Sequence, residues 1–230
     1  LDTVLYFGYA FVYLLLAIWG LFYILRKEGG FSLSIFLLMV TVALVWDNAV
    51  IASGKFIGEG PLLESLNLSR FWSHAFFTPT LVLFGCWVIE QIQSFRSYRK
   101  DTRARYIAGI VTLGLIAFEV YETTHKTFIP IREYGVLRYG SLEASGPPIM
   151  VIVVILILLV ISIMVFVKQR WGWMLAGVLL MLLGSAITIP VESSAVTNAF
   201  ELTFIMSLWW SYYKLSRGFD LDRHHRFESK

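Results

Sequence analysis

Seven stretches of about twenty mostly apolar residues follow one another along this chain, near 4–25, 31–53, 71–93, 106–128, 148–168, 172–192 and 196–215. A run of that length crosses the ~30 Å hydrocarbon core of a bilayer as an α-helix, with its backbone hydrogen bonds satisfied inside the segment. The pattern predicts an all-α, polytopic membrane protein: one transmembrane domain, residues 1–230, with seven transmembrane helices. Composition agrees, because 57% of the residues are hydrophobic and only 15% charged. A soluble domain of this size needs more charge to cover its surface. The first run lacks a basic flank and a small-residue cleavage site, so it is read as a spanning helix and not as a removable leader. One cysteine, Cys86, excludes a disulfide framework. No internal repeat suggests a transporter with inverted halves.

Lysine and arginine set the orientation. With the N-terminus outside, the inner side carries Arg26, Lys27, Arg96, Arg99, Lys100, Arg103, Arg105, Lys168, Arg170, Lys214, Arg217, Arg223, Arg226 and Lys230. The outer side keeps only Lys55, Arg70, Lys126, Arg132 and Arg138. The C-terminus is therefore expected in the cytoplasm. These basic residues are topology signals, and no nucleic-acid partner is expected. His224 and His225 belong to the solvated tail. Two outer segments, 54–70 and the Gly/Pro-rich 129–147, read as loops, with Pro61–Leu68 amphipathic enough to lie along the interface. Asn67-Leu68-Ser69 matches the glycosylation sequon and would face outward, although chance explains so short a match.

Ionisable residues inside spans are expensive and mark function by default. The second run carries Trp46, Asp47 and Asn48; the third opens with Arg70, Trp72 and His74. The fourth carries Glu119, Tyr121, Glu122 and His125, the sixth ends at Pro190 and Glu192, and the seventh carries Asn198, Phe200 and Glu201. The alternating direction of the helices brings all of these to the outer half of the membrane, above an apolar inner half. Glu119, Glu122 and His125 recur at i, i+3 and i+6, a face expected to point into the bundle. Arg70 with His74 reads as an anchor for the start of the third helix, and Glu192 as a residue reaching the headgroups. Asp47, Glu119 and Glu201 lie more than a turn inside their spans, where a carboxyl must be protonated, paired or hydrated. They are candidate catalytic acids together with Glu122. Trp46, Asn48, His74, Tyr121, His125, Asn198 and Phe200 are candidate substrate contacts.

A carboxyl in an apolar cavity suits protonation of a poor base such as an olefin or epoxide, and aromatic faces steady the cation that follows. At this point the chain resembles the small seven-helix integral-membrane terpene cyclases of fungal meroterpenoid and indole-diterpene pathways and their bacterial relatives. In that family one key acid lies late in the second helix and another near the seventh; Trp46-Asp47 and Phe200-Glu201 occupy those places here, with the two acid types exchanged. The resemblance implies a metal-free, cofactor-free enzyme acting on an isoprenoid or other lipidic substrate, Asp47 being the proton donor and Glu201 its assistant. Two other readings stay open. His74, His125, Glu122, Asp47 and Glu201 form a ligand pool for a metal-dependent lipid hydrolase, with Glu122 and His125 at E-x-x-H spacing. A non-enzymatic lipid-binding or transport protein is the third; Lys214 lies at the inner end of its helix, which argues against a retinal protein.

The distribution of basic residues predicts that Ser97→Cys reacts with an impermeant thiol reagent only after the membrane is opened, whereas Ser141→Cys reacts from outside. Labelling of Ser97→Cys in intact cells would reverse the orientation.

Overall fold

The structure, a computed structural model, describes residues 2–28, 32–93, 102–142, 149–186 and 193–228, beyond 217 as backbone only. Helix α1 spans Asp2–Lys27, α2 Ile35–Ile57, α3 Pro61–Phe77, α4 Leu81–Gln93, α5 Thr102–Thr124, α6 Ile149–Gln169, α7 Trp173–Ala186 and α8 Ser194–Glu228. A single 3-10 turn, Thr78–Thr80, joins α3 to α4. Counted as one rod, α3–α4 brings the helical rods among the described residues to seven. Five of them are long and apolar enough to cross a membrane: Asp2–Lys27, Ile35–Ile57, Pro61–Gln93, Thr102–Thr124 and Ile149–Gln169. The apolar part of α7 is shorter, Trp173–Ser185.

Two expected loops are structured. The segment 54–70 is nearly all helix: α2 runs to Ile57, and α3 begins at Pro61. Proline at the first helical position has its φ already set and no N–H left to satisfy, so Pro61 starts the helix efficiently. Pro61–Leu68 is thus the first part of the third rod and not a separate interfacial helix. Pro79 then interrupts the rod, since it cannot donate to the helical ladder; the Thr80 hydroxyl donates to the carbonyl of Phe77 at 2.6 Å across the break.

The second correction concerns the all-α expectation. Residues 128–141 form an antiparallel hairpin, β1 Phe128–Glu133 and β2 Val136–Ser141, with Glu133 opposite Val136. Tyr134 and Gly135 make the turn at φ 46° and 83°. Two left-handed residues match the twist of the flanking strands, which a short hairpin requires. Prolines and glycines made this stretch look irregular, and only the two-residue Tyr134-Gly135 turn reveals the pairing.

The hairpin caps one end of the bundle. Thr3 donates to the carbonyl of Gly135 (2.7 Å), Ser193 donates to Asp2 (2.5 Å), and Tyr6 shares a hydrogen bond with Ser194 (2.8 Å). At the opposite end, Ser34 and Tyr212 both donate to Glu28, at 2.9 and 3.0 Å, and Trp171 donates to Ser211 at 3.0 Å. Between the ends lies an apolar core that includes Tyr13, Leu37, Phe84, Leu158, Met174 and Trp209. Lipid offers no hydrophobic penalty for separating helices, so close packing and internal hydrogen bonds hold such a core together. Small residues permit the approach: the Trp209 ring lies on Gly20, and Ser207 on Gly177. Trp209 also donates to the Thr41 hydroxyl at 2.9 Å.

At Gly54 the hairpin touches α2 so closely that a Cβ would fall 1.8 Å from the carbonyl oxygen of Leu137. Backbone cannot yield as a flexible side chain does. Gly54→Ala should therefore cost about 1–3 kcal/mol, read as a lower thermal unfolding midpoint in detergent. Gly114→Ala, which meets nothing within 4 Å, should leave the midpoint unchanged or raise it.

Candidate functional site

Successive residues on a helix point about 100° apart, so Trp46, Asp47 and Asn48 leave α2 in three directions. Trp46 is 44% exposed on the bundle surface, its indole N–H donating to the Ser69 hydroxyl at 2.9 Å. Asn48 is fully buried; its amide donates to the carbonyl of Leu44 (2.9 Å), and its oxygen accepts from Asn198 of α8 (3.2 Å). Asp47 turns toward α3 and accepts from the Arg70 guanidinium at 2.9 Å. The side chain of Arg70 is about 10% exposed and that of Asp47 23%.

Arg70 is more than an anchor. Because α3 begins at Pro61, Arg70 stands well inside the helix, where a charge needs a partner. Its Nη1 donates to Asn67 at 2.6 Å, and the Asn67 amide donates to the carbonyl of Leu63 at 2.8 Å. Asn67 is fully buried, so the expected outward-facing sequon is corrected: this asparagine belongs to the ion-pair network. Asn67, Arg70 and His74 follow at i, i+3 and i+7 along one face. That stripe is the signal a later helix start concealed.

Beside the ion pair, Asp47, Arg70, Ser73, His74 and Thr78 line a recess with room for about one water molecule. His74 Nδ1 and the Thr78 hydroxyl share a hydrogen bond of 3.1 Å. Across from it, Glu119 of α5 is buried and accepts from Lys126 at 3.3 Å. His74 lies within electrostatic reach of both pairs, Asp47–Arg70 and Glu119–Lys126.

The expected inward face of Glu119, Glu122 and His125 is split. The buried residues of α5 are Ala108, Thr112, Glu119 and Thr123, a stripe at spacings of four and seven. Positions i+3 and i+6 rotate progressively away from it, by about 60° and 120°. Glu122 and His125 are accordingly exposed. Tyr121 is also exposed, at 62%, its ring 4.4 Å from that of His125, and its carbonyl lies 2.7 Å from His125 Nδ1. The pool of metal ligands is thereby divided between His74 inside and Glu122 and His125 outside. Among the described residues no three His, Cys, Asp or Glu side chains gather as a ligand set.

From α8, Glu201 completes the polar centre. It is partly buried, within electrostatic reach of Asp47 and Arg70, and among the described residues it makes no hydrogen bond or ion pair. Phe200, one position back, packs against Gly184 of α7. Glu192 and Pro190 lie outside the described residues, as do Arg96, Arg99 and Lys100; the side chains of His224 and His225 do too. Of the acids singled out from the sequence, Asp47, Glu119 and Glu201 share one neighbourhood with His74, Asn48 and Asn198. Trp46, Tyr121, Glu122 and His125 stand outside it. Sequence reasoning missed Asn67 and Lys126 and undervalued Arg70.

Comparison with known proteins adds no relative: no family model, curated protein or solved structure matches the chain.

Removing one member of a buried ion pair leaves the other charge uncompensated, a cost of about 3 kcal/mol. Arg70→Met and Asp47→Asn should each lower the unfolding midpoint sharply, and the double variant should lose much less than the sum. Additive losses in a double-mutant cycle would show that the two side chains do not interact.

Proposed function

We propose that this chain crosses the membrane seven times, with its N-terminus outside and its C-terminus in the cytoplasm, and is an intramembrane enzyme that cyclises an isoprenoid substrate by acid–base chemistry. The observation that carries this reading is the hydrogen bond from Asn198 of α8 to Asn48 of α2, which brings Glu201, one turn from Asn198, and Asp47, next to Asn48, to one polar centre inside an apolar bundle. Two of the three acids at that centre have a basic partner, Arg70 for Asp47 and Lys126 for Glu119. Glu201 has none among the described residues. The orientation is supported by the same geometry: the hairpin end holds the polar centre, while Arg26, Lys27, Arg105, Lys168 and Arg170 sit at or near helix ends on the opposite side.

The difference in pairing divides the chemistry. A carboxylate held by a guanidinium is suited to steady a cation or to take a proton. An unpaired carboxyl among apolar side chains is suited to give one. The two roles are therefore exchanged relative to the expectation that Asp47 is the donor. Glu201 transfers its proton to the terminal alkene carbon, the π pair forming the new C–H bond and leaving a carbocation. The next alkene closes the ring by donating its π pair to that cation. Loss of a proton from the carbon beside the final cation, to Glu201 directly or by way of Asp47, restores both the alkene and the acid, so the net change is an isomerisation. No metal or redox partner enters the balance. The apolar core around the polar centre, including Tyr13 and Phe200, supplies the water exclusion and ring faces this chemistry needs. The recess at Asp47 is water-sized, too small by itself to hold a prenyl chain.

The test is turnover in lipid nanodiscs of farnesyl- and geranylgeranyl-bearing acceptors, with and without a terminal epoxide, followed by mass and ring analysis. Glu201→Gln should reduce cyclisation by at least about 100-fold with the fold retained, and Asp47→Asn should also be severely impaired. Glu122→Gln, on the exposed face, should be close to unchanged. Full turnover by Glu201→Gln, or abolition of turnover by chelators, would overturn the metal-free mechanism.

A further inference from the structure

Tyr13 lies in the middle of α1 with its side chain fully buried, and its hydroxyl has no hydrogen-bond partner among the described residues. A buried hydroxyl left unpaired is destabilising, and such groups are few in folded proteins. The described residues contain two others, the hydroxyls of Thr112 and Thr123 on α5. Those sit on short helical side chains, which need only a rotation to turn the hydroxyl toward a carbonyl one turn back. A tyrosine cannot do this: its oxygen stands at the far end of a rigid ring, out of reach of its own backbone. The contrast with neighbouring tyrosines is direct. On the same helix Tyr6 meets Ser194 at 2.8 Å, Tyr9 donates to the carbonyl of Ala195 at 3.1 Å, and Tyr23 meets Ser216 at 3.1 Å. Three tyrosines of α1 tie it to α8, and the fourth does not.

The surroundings of the Tyr13 hydroxyl say what it is for. Tyr13 stands between Tyr9 and Tyr23, whose hydroxyls meet Ala195 and Ser216 of α8, so it faces the stretch of α8 that carries Glu201, and the Glu201 and Asp47 carboxyls act on it electrostatically. Glu201 has no hydrogen bond to give up among the described residues, so its flexible side chain can turn without breaking one. We propose that Tyr13 is a positioning residue for Glu201: when substrate enters, the Glu201 carboxyl swings to the Tyr13 hydroxyl, which donates to one carboxyl oxygen and aims the other at the alkene. The inference rests on the reading of Glu201 as proton donor. The hydroxyl is kept unpaired in the resting protein because its partner is a side chain that moves during the reaction. After proton transfer the same O–H donates to a carboxylate, a stronger bond than the one to the neutral acid, so the contact favours the charged state over the resting one.

Tyr13→Phe removes this oxygen alone and preserves the ring. Because the oxygen has no partner at rest, the thermal midpoint of Tyr13→Phe without substrate should equal or exceed that of the parent, whereas Tyr6→Phe, which loses a bond to Ser194, should melt lower. On whichever prenylated acceptor of the panel is turned over, Tyr13→Phe should lower kcat by about 100-fold with KM little changed. A fall in midpoint as large as that of Tyr6→Phe would assign the hydroxyl a structural partner and overturn the inference. So would unaltered kcat in Tyr13→Phe while Glu201→Gln is inactive, and that result would leave the role of Glu201 standing. An active Glu201→Gln would remove the donor itself, and the positioning role with it.

Discussion

The cost of placing charge among apolar side chains governs this molecule. A single guanidinium inside a helix bundle is untenable unless a carboxylate and further acceptors meet it. Arg70 finds both, Asp47 on α2 and Asn67 on its own helix. That triad fixes the rotation of α2 relative to α3, which in turn sends Asn48 toward α8 and Trp46 to the surface. The arrangement of the polar centre thus follows from one ion pair and the 100° step of the helix.

The rest of the fold delivers helices to that pair. Close approach at Gly20 and Gly177 lets α1 and α7 pack on α8 with side chain against backbone. Hydrogen bonds from Tyr6 and Tyr9 hold α1 to the start of α8. The hairpin covers the end of the bundle nearest the ion pair and adds its own backbone contact at Gly54. Polar connections are concentrated at the two ends, while the middle is held by packing; this suits an environment where water is available only at the ends.

Partnering also distinguishes the acids chemically. Asp47 and Glu119 are each tied to a base, at 2.9 and 3.3 Å. Among the described residues Glu201 makes no hydrogen bond or ion pair, and the Tyr13 hydroxyl is unpartnered, as are those of Thr112 and Thr123 on α5. Glu201 and Tyr13 stand on neighbouring helices, α8 and α1, and in the proposed mechanism they meet only while substrate is bound. Depth and position marked Glu201 in the sequence, but Tyr13 draws no attention by spacing or motif, and their relation exists only across α1 and α8.

Chain-local physics made much of this protein legible. The length and apolarity of the runs announced membrane-length helices, because backbone hydrogen bonds must be satisfied within each crossing. The depth of Asp47, Glu119 and Glu201 marked them as residues in need of partners. The choice of partners was not legible, since an ion pair such as Asp47–Arg70 depends on how two helices rotate and slide against each other. Misplacing the start of α3 concealed the Asn67–Arg70–His74 stripe, and a periodicity argument that ignored which side of α5 is packed turned Glu122 and His125 inward. The hairpin was hidden because strand pairing in 128–141 depends on cross-chain hydrogen bonds and two left-handed turn residues, not on composition. Local sequence determined what must be buried; tertiary structure decided which buried groups meet, because in an apolar medium each is stable only beside a partner that packing brings to it.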